Sequence, residues 1–115
     1  MASSTKKNEI VKLDGGGSEV SLDYGQLRNA VLVLRAVNHK LRQKIITLLE
    51  DNNEMTVTKI YVKLRLEQSV ASQHLAILRR AGIVHTKREG KFIYYSLVKD
   101  RLKEISSLVE KLSKF

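Results

Sequence analysis

QSVASQHLAILRRAG, residues 68–82, opens on short polar side chains, turns apolar every third or fourth position, and ends on a basic pair and a glycine. The spacing predicts a helix. Ala71, Leu75 and Leu78 share one stripe, with Val70 and Ile77 beside it. Gly82 reads as the residue just past the helix end, where a positive φ carries no Cβ clash. Two readings compete: an ordinary amphipathic helix, or a helix shaped to enter the major groove of DNA. Its neighbours decide between them.

Upstream, Thr56 caps a short helix over Val57–Leu64, with Val57, Ile60, Tyr61 and Leu64 facing inward; the connection Arg65-Leu66-Glu67 is tight. Downstream, IVHTKREGKFIYYSL (83–97) changes to strand period, with β-branched and aromatic runs on either side of Glu89-Gly90, which reads as a hairpin. A short helix, a tight turn and a second helix make a helix-turn-helix, and a hairpin directly after makes it winged.

Earlier in the chain, Leu27, Ala30, Val31, Leu34 and Val37 form the stripe of a helix from about Ser21 to Val37. A second helix, about His39 to Glu50, turns Leu41, Ile45, Leu48 and Leu49 inward and takes Asn38 as its N-cap; residues 50–54 read as a polar loop. The last helix, about Lys99 to Lys114, carries Leu102, Ile105, Val109 and Leu112, widened by Leu108 and Phe115. The expected fold is mainly α with a small β-hairpin, a winged helix-turn-helix of order α-α-α-α-β-β-α over residues 20–115. Residues 1–19 read as a flexible tail ending in Gly15, Gly16, Gly17 and Ser18, with a short strand over residues 10–13, or docking of that stretch on a partner subunit, as the alternative.

The 115-residue chain carries 21 Lys and Arg against 12 Asp and Glu, a formal charge of +9 that suits a polyanion such as nucleic acid or an anionic surface. It has no cysteine, which excludes disulfides, thiolate metal sites and thiol redox sensing. The start lacks the apolar core of a signal peptide and no stretch reaches the length of a membrane span, so a soluble, cytoplasmic protein without membrane partner is expected.

Each part of the winged motif has a task on DNA. Gln68, Ser69, Ser72 and Gln73 lie where an inserted helix presents short or amide-bearing side chains to base edges; Gln pairs bidentately with adenine and Ser reaches base or phosphate. Lys87, Arg88 and Lys91 surround the wing tip, placed for phosphates or the minor groove. His74 stands where this helix meets the core and is either structural or a DNA contact. The plainer account is that polar residues cap the helix and lysines solvate a strand edge; hairpin, element order and charge together favour DNA.

From Ala36 to Leu97 the sequence resembles the ArsR family of bacterial winged-helix repressors. LRQKIITLLED (41–51) is similar to the family's second helix, and residues 55–84 to its helix-turn-helix. SQHL (72–75), LRRAGIV (78–84) and REGKFIYYSL (88–97) are the most specific pieces. The resemblance implies a homodimer whose first and last helices form the interface, and a palindromic operator in double-stranded DNA. Leu27, Val31, Leu34, Leu102, Ile105, Val109 and Leu112 are the candidate interface residues. The terminal helix has more apolar residues than a lone helix needs, and a dimer would bury them.

The departures concern sensing and the turn. Many members of the family hold a metal through two cysteines at the start of the third helix; the matching positions here are Thr56 and Thr58. Another family site uses Asp and His on the last helix, and no His follows His85. His39, His74 and His85 are scattered, so no metal and no cofactor is expected and the inducer is left unassigned. Arg65 stands where the family often has glycine or asparagine, and Glu67 where it has a capping serine. A winged-helix protein-interaction module without sequence-specific DNA binding is the alternative function. An enzyme is not expected, because no nucleophile with a base, phosphate loop or spaced carboxylate pair is found.

Overall fold

A computed structural model describes residues 10–15 and 18–114, and the chain divides into two compact units at Val33/Leu34. In the first, β1 (Ile10–Gly15) and β2 (Ser18–Asp23) pair antiparallel, with Ile10 opposite Asp23 and Gly15 opposite Ser18. The stretch expected as a tail therefore contains β1 and the first two residues of β2, where only a short strand over residues 10–13 is entertained from sequence. Helix α1 (Tyr24–Val37) starts three residues later than its apolar stripe suggests. Ser21 and Leu22 remain in the ladder, opposite Lys12 and Val11. The Asp23 carboxylate then accepts hydrogen bonds from the Gly25 and Gln26 amides, at 2.9 and 3.1 Å, and so caps the first turn.

The second unit begins in the last turn of α1 and continues with α2 (Lys40–Asn52), β3 (Glu54–Thr56), α3 (Val57–Leu64), α4 (Gln68–Arg80), β4 (Val84–Glu89), β5 (Phe92–Leu97) and α5 (Lys99–Leu112). The cap of α2 is His39, not Asn38. The Asn38 amide still donates to Leu34 O at 2.9 Å and so belongs to the end of α1, while His39 is extended and its Nδ1 accepts from the Leu41 amide at 3.1 Å. Thr56 caps α3 as expected, accepting from the Lys59 amide.

The hairpin β4–β5 forms in the expected place, Val84 opposite Leu97 and Glu89 opposite Phe92, with Gly90 at φ 62° in its turn. The sheet nevertheless has three strands. β3 adds to the other edge of β5, with Met55 opposite Tyr95, where the sequence reading placed only the end of a polar loop. A three-residue strand is too short to show a period, and only its partner defines it.

The core gathers Ile45 and Leu49 of α2, Met55 of β3, Ile60 of α3, Leu75 and Leu78 of α4, with Ala36, Ile83, Val84 and Leu97. Ile45, Leu49, Ile60, Leu75, Leu78, Ile83 and Val84 are fully buried. Each such side chain stabilises the fold by about 1.5–3 kcal/mol relative to exposure. α5 rests on this core through Leu102 and Ile105, and the Arg101 Nε donates to Ala81 O at 3.2 Å, tying α5 to the end of α4.

The turn between α3 and α4 is closed by Arg65 in the left-handed region, φ 57° and ψ 47°. Its amide donates to Val62 O and that of Leu66 to Tyr61 O, so the last carbonyls of α3 are satisfied without glycine. Gly82 does the same for α4 at φ 75°, with Ile83 N donating to Leu78 O at 3.0 Å.

Candidate nucleic-acid interface

α4 has a buried apolar stripe and an exposed polar one, with Val70, His74 and Ile77 half-buried between them. Ala71, Leu75 and Leu78 have no exposed surface, whereas Gln68, Ser69, Ser72, Gln73, Ala76, Arg79 and Arg80 are exposed. The buried stripe fixes the helix on the core and leaves the polar one outward. Glu67 occupies the cap position, but its carboxylate accepts no hydrogen bond from the helix amides. A negative charge thus stands at the positive end of α4 without closing it, favourable to the dipole and unfavourable to a nearby phosphate.

His74 lies between the two faces, half-buried, and its ring is engaged by the protein itself. It sits 4.9 Å from the His39 ring, centroid to centroid, and its Nδ1 lies 3.2 Å from a terminal nitrogen of Arg42. A guanidinium only donates, so the His74 Nδ1 is the acceptor and the neutral ring carries its proton on Nε2. Burial lowers the His74 pKa from 6.5, and the neighbouring His39 and Arg42 lower it further. Arg42 also donates through Nε to Ala36 O at 2.6 Å and through its other terminal nitrogen to Arg35 O at 3.1 Å. One side chain thereby joins the C-terminal end of α1, the first turn of α2 and the flank of α4. In sequence, Arg42 stands with Ile45 and Leu48 at places characteristic of the family's second helix, but nothing there names its partners. An arginine that satisfies helix-end carbonyls has no signature beyond its place early in a helix.

The wing carries its three cations in different states. Lys87 Nζ is 2.9 Å from the Glu89 carboxylate, which raises its pKa through that hydrogen bond and the carboxylate's charge. Arg88 Nε donates to Gly90 O at 3.2 Å and so braces the turn. Lys91 Nζ stands 5.5 Å from the centroid of the Phe92 ring. All three are exposed, beside Phe92 and Ile93, which are also open to solvent.

The candidate interface residues divide between the units. Leu27 is exposed and Val31 half-buried in the first; Leu34, Leu102 and Ile105 are half-buried, and Val109 and Leu112 are 46 % and 62 % exposed, in the second. Among the described residues no group of three His, Asp or Glu side chains is arranged to hold a metal ion. Of the two positions matching the family's cysteines, Thr56 spends its hydroxyl on the α3 cap and Thr58 is exposed. Among the described residues no helix is long and apolar enough to cross a membrane.

Residues 39–86 match the profile described as bacterial regulatory protein, arsR family. An uncharacterized HTH-type transcriptional regulator of Methanocaldococcus jannaschii is 41 % identical over 83 residues, covering 72 % of this chain and 93 % of that one. The transcriptional activator HlyU of Vibrio cholerae is 39 % identical over 83 residues, covering 72 % and 76 %. The crystal structure of the transcriptional repressor PagR of Bacillus anthracis superposes with a TM-score of 0.62 at 32 % identity, covering 76 % of this chain and 99 % of that one.

Proposed function

The chain belongs to the arsR family of bacterial regulatory proteins, which are DNA-binding transcriptional regulators, and on that premise we propose that it is a homodimeric, cytoplasmic repressor reading a palindromic operator. In this reading Gln68, Ser69, Ser72 and Gln73 meet base edges in the major groove, and Lys87, Arg88 and Lys91 hold phosphates beside it. His74, engaged by Arg42 and His39, positions the helix. The observation that carries the proposal is the division of α4: a wholly buried apolar stripe, an exposed polar one, and a basic hairpin directly following.

Dimerisation explains the exposed apolar side chains. Leu108, Val109 and Leu112 on α5 are 40 %, 46 % and 62 % exposed, and on α1 Leu27 and Leu32 are 45 % and 61 % exposed. A two-fold dimer would bury such surface and set its recognition helices on half-sites about 34–36 Å apart. The relatives include both an activator and a repressor by name. Repression is the simpler action for a small domain whose outward polar surface is taken up by DNA.

The test is fluorescence anisotropy on duplex DNA from upstream of the protein's own gene, against a scrambled duplex, at two salt concentrations. Preference for the native duplex that persists at the higher salt supports sequence-specific regulation. Salt-insensitive or absent binding refutes it and favours a protein-interaction module, since phosphate contacts impose a steep salt dependence. A reporter fused to that upstream region gives the sign: expression rises on deletion of a repressor and falls on deletion of an activator.

A further inference from the structure

Resting on that reading, we infer that Arg79, Arg80 and Tyr95 form a pocket for a backbone phosphate of DNA at the far end of α4, beyond the base-reading Ser72. A depression of about 500 Å³ opens between the outer face of α4 and strand β5, lined by Ser72, Ala76, Arg79, Arg80 and Tyr95. Ser72, Ala76 and the two arginines follow one another at three- and four-residue steps, so they share a face of the helix. Ala76 keeps the floor of the depression low between them. Tyr95 comes from the central strand of the sheet, held on both sides by Met55 and Thr86, and its half-buried ring packs on the core. Its position is therefore rigid.

Several neighbouring cations have partners within the protein. Lys87 pairs with Glu89, Arg88 braces the turn, Arg42 binds helix-end carbonyls and His74, and Arg101 binds Ala81 O and lies near Glu104. Among the described residues, Arg79 and Arg80 have no side-chain hydrogen bond or ion pair and are exposed. Their place in the last turn suits the negative end of the helix dipole, but the dipole does not account for a tyrosine of β5 lining the same depression. Two arginines and a tyrosine lining one depression carry donors of the kind that match the several acceptor oxygens of a phosphate.

The dimensions agree with DNA as the source of that phosphate. Arg79 lies seven residues beyond Ser72, about 10 Å along the helix axis, close to the ~12 Å width of the major groove. With Ser72 and Gln73 on base edges, the arginines stand at the flank of the groove, where the sugar-phosphate chain runs.

The experiment compares the full chain with the Arg79→Ala/Arg80→Ala double variant, its Arg79→Lys/Arg80→Lys counterpart, and Tyr95→Phe. Binding is read by anisotropy on the upstream and scrambled duplexes over a salt series. The alanine variant is expected to make the slope of log affinity against log salt shallower by about 0.9 for each phosphate released. The change should be equal on both duplexes, because a phosphate carries no base identity. The lysine variant retains the slope. Tyr95→Phe leaves the slope and weakens both duplexes on the order of tenfold, through loss of a hydrogen bond to a charged oxygen. An unchanged slope in the alanine variant, with wild type still binding steeply, overturns this pocket and leaves the proposed function standing. Wild type without salt-dependent binding overturns both. A lysine variant that loses the slope as alanine does assigns the arginines to holding the fold, and overturns the pocket. Inorganic phosphate is expected to displace duplex from wild type beyond chloride of equal ionic strength, and not from the alanine variant, because it competes with the duplex for the same arginines; equal displacement from both proteins overturns the pocket.

Discussion

Replacing Glu89 with glutamine should tighten DNA binding, and the size of the effect follows from the wing's geometry. Lys87 and Glu89 are two apart on β4, so they share a face of the strand, and their charged atoms meet at 2.9 Å with both side chains more than half exposed. The wing tip carries Lys87, Arg88 and Lys91 against Glu89, so one of three positive charges is offset before DNA arrives. Glutamine retains shape and some hydrogen bonding but frees Lys87 for a phosphate. An ion pair this exposed adds little to folding stability, so the thermal midpoint should not move. On DNA, one further phosphate per wing steepens the salt slope by about 0.9, and two wings of a dimer by about 1.8. Over a change from about 50 mM to about 200 mM salt, that slope multiplies the loss of affinity by roughly twelvefold relative to wild type. Anisotropy titrations of both proteins on one duplex measure it. A slope that is unchanged or shallower in Glu89→Gln would refute the reasoning that Glu89 withholds Lys87 from phosphate, whatever happens to affinity at a single salt concentration.

Three further outcomes are expected. Ser72→Ala and Gln73→Ala should each weaken the upstream duplex more than the scrambled one, by about 1–3 kcal/mol where a bidentate base contact is lost, with circular dichroism and dimer mass unchanged; equal loss on both duplexes removes these residues from base readout. Arg65→Gly should stabilise the fold by about 0.5–1 kcal/mol, because relief of the left-handed backbone cost, about 1–2 kcal/mol, exceeds the added entropy of glycine in the unfolded chain, about 0.5–1 kcal/mol; a lower denaturation midpoint contradicts this. The His74 pKa is lower in the folded state than its ordinary 6.5, so its neutral form favours the fold. That stability is fully present above pH 6.5 and is lost as pH falls through the lower folded-state value. His74→Gln, which keeps an acceptor for Arg42, should flatten the pH profile of stability in that window, and an identical profile in the variant shows that another group sets it.

Much of the second unit was legible because its signals are local. The stripe Ala71, Leu75 and Leu78, the Thr56 cap and the positive φ of Gly82 each depend on residues within one or two turns, and all three are found as read. The cap of α2 was misread because Asn38 and His39 are both able to cap, and only the continuation of α1 through the Asn38 amide selects His39. The start of α1 was read too early for a similar reason: Ser21 and Leu22 are committed to a ladder with β1, a competitor that the helical stripe does not reveal. The left-handed turn was doubtful in sequence because Arg65 does not favour it, and the bonds closing α3 show how it is held.

The sequence alone determined the helix-turn-helix, the wing, the outward polar stripe of α4 and the basic balance, since periodicity, capping and charge are written in neighbouring residues. The tertiary structure alone decided which polar groups meet. Arg42 reaches His74 across 32 positions of sequence, β3 finds β5 with only three residues to mark it, and Tyr95 comes to stand beside Arg79 and Arg80. A contact between distant residues has no period and no local preference. It exists only once the core has brought helices and sheet together, so it is there, beside the readable recognition helix, that the structure adds what the sequence could not express.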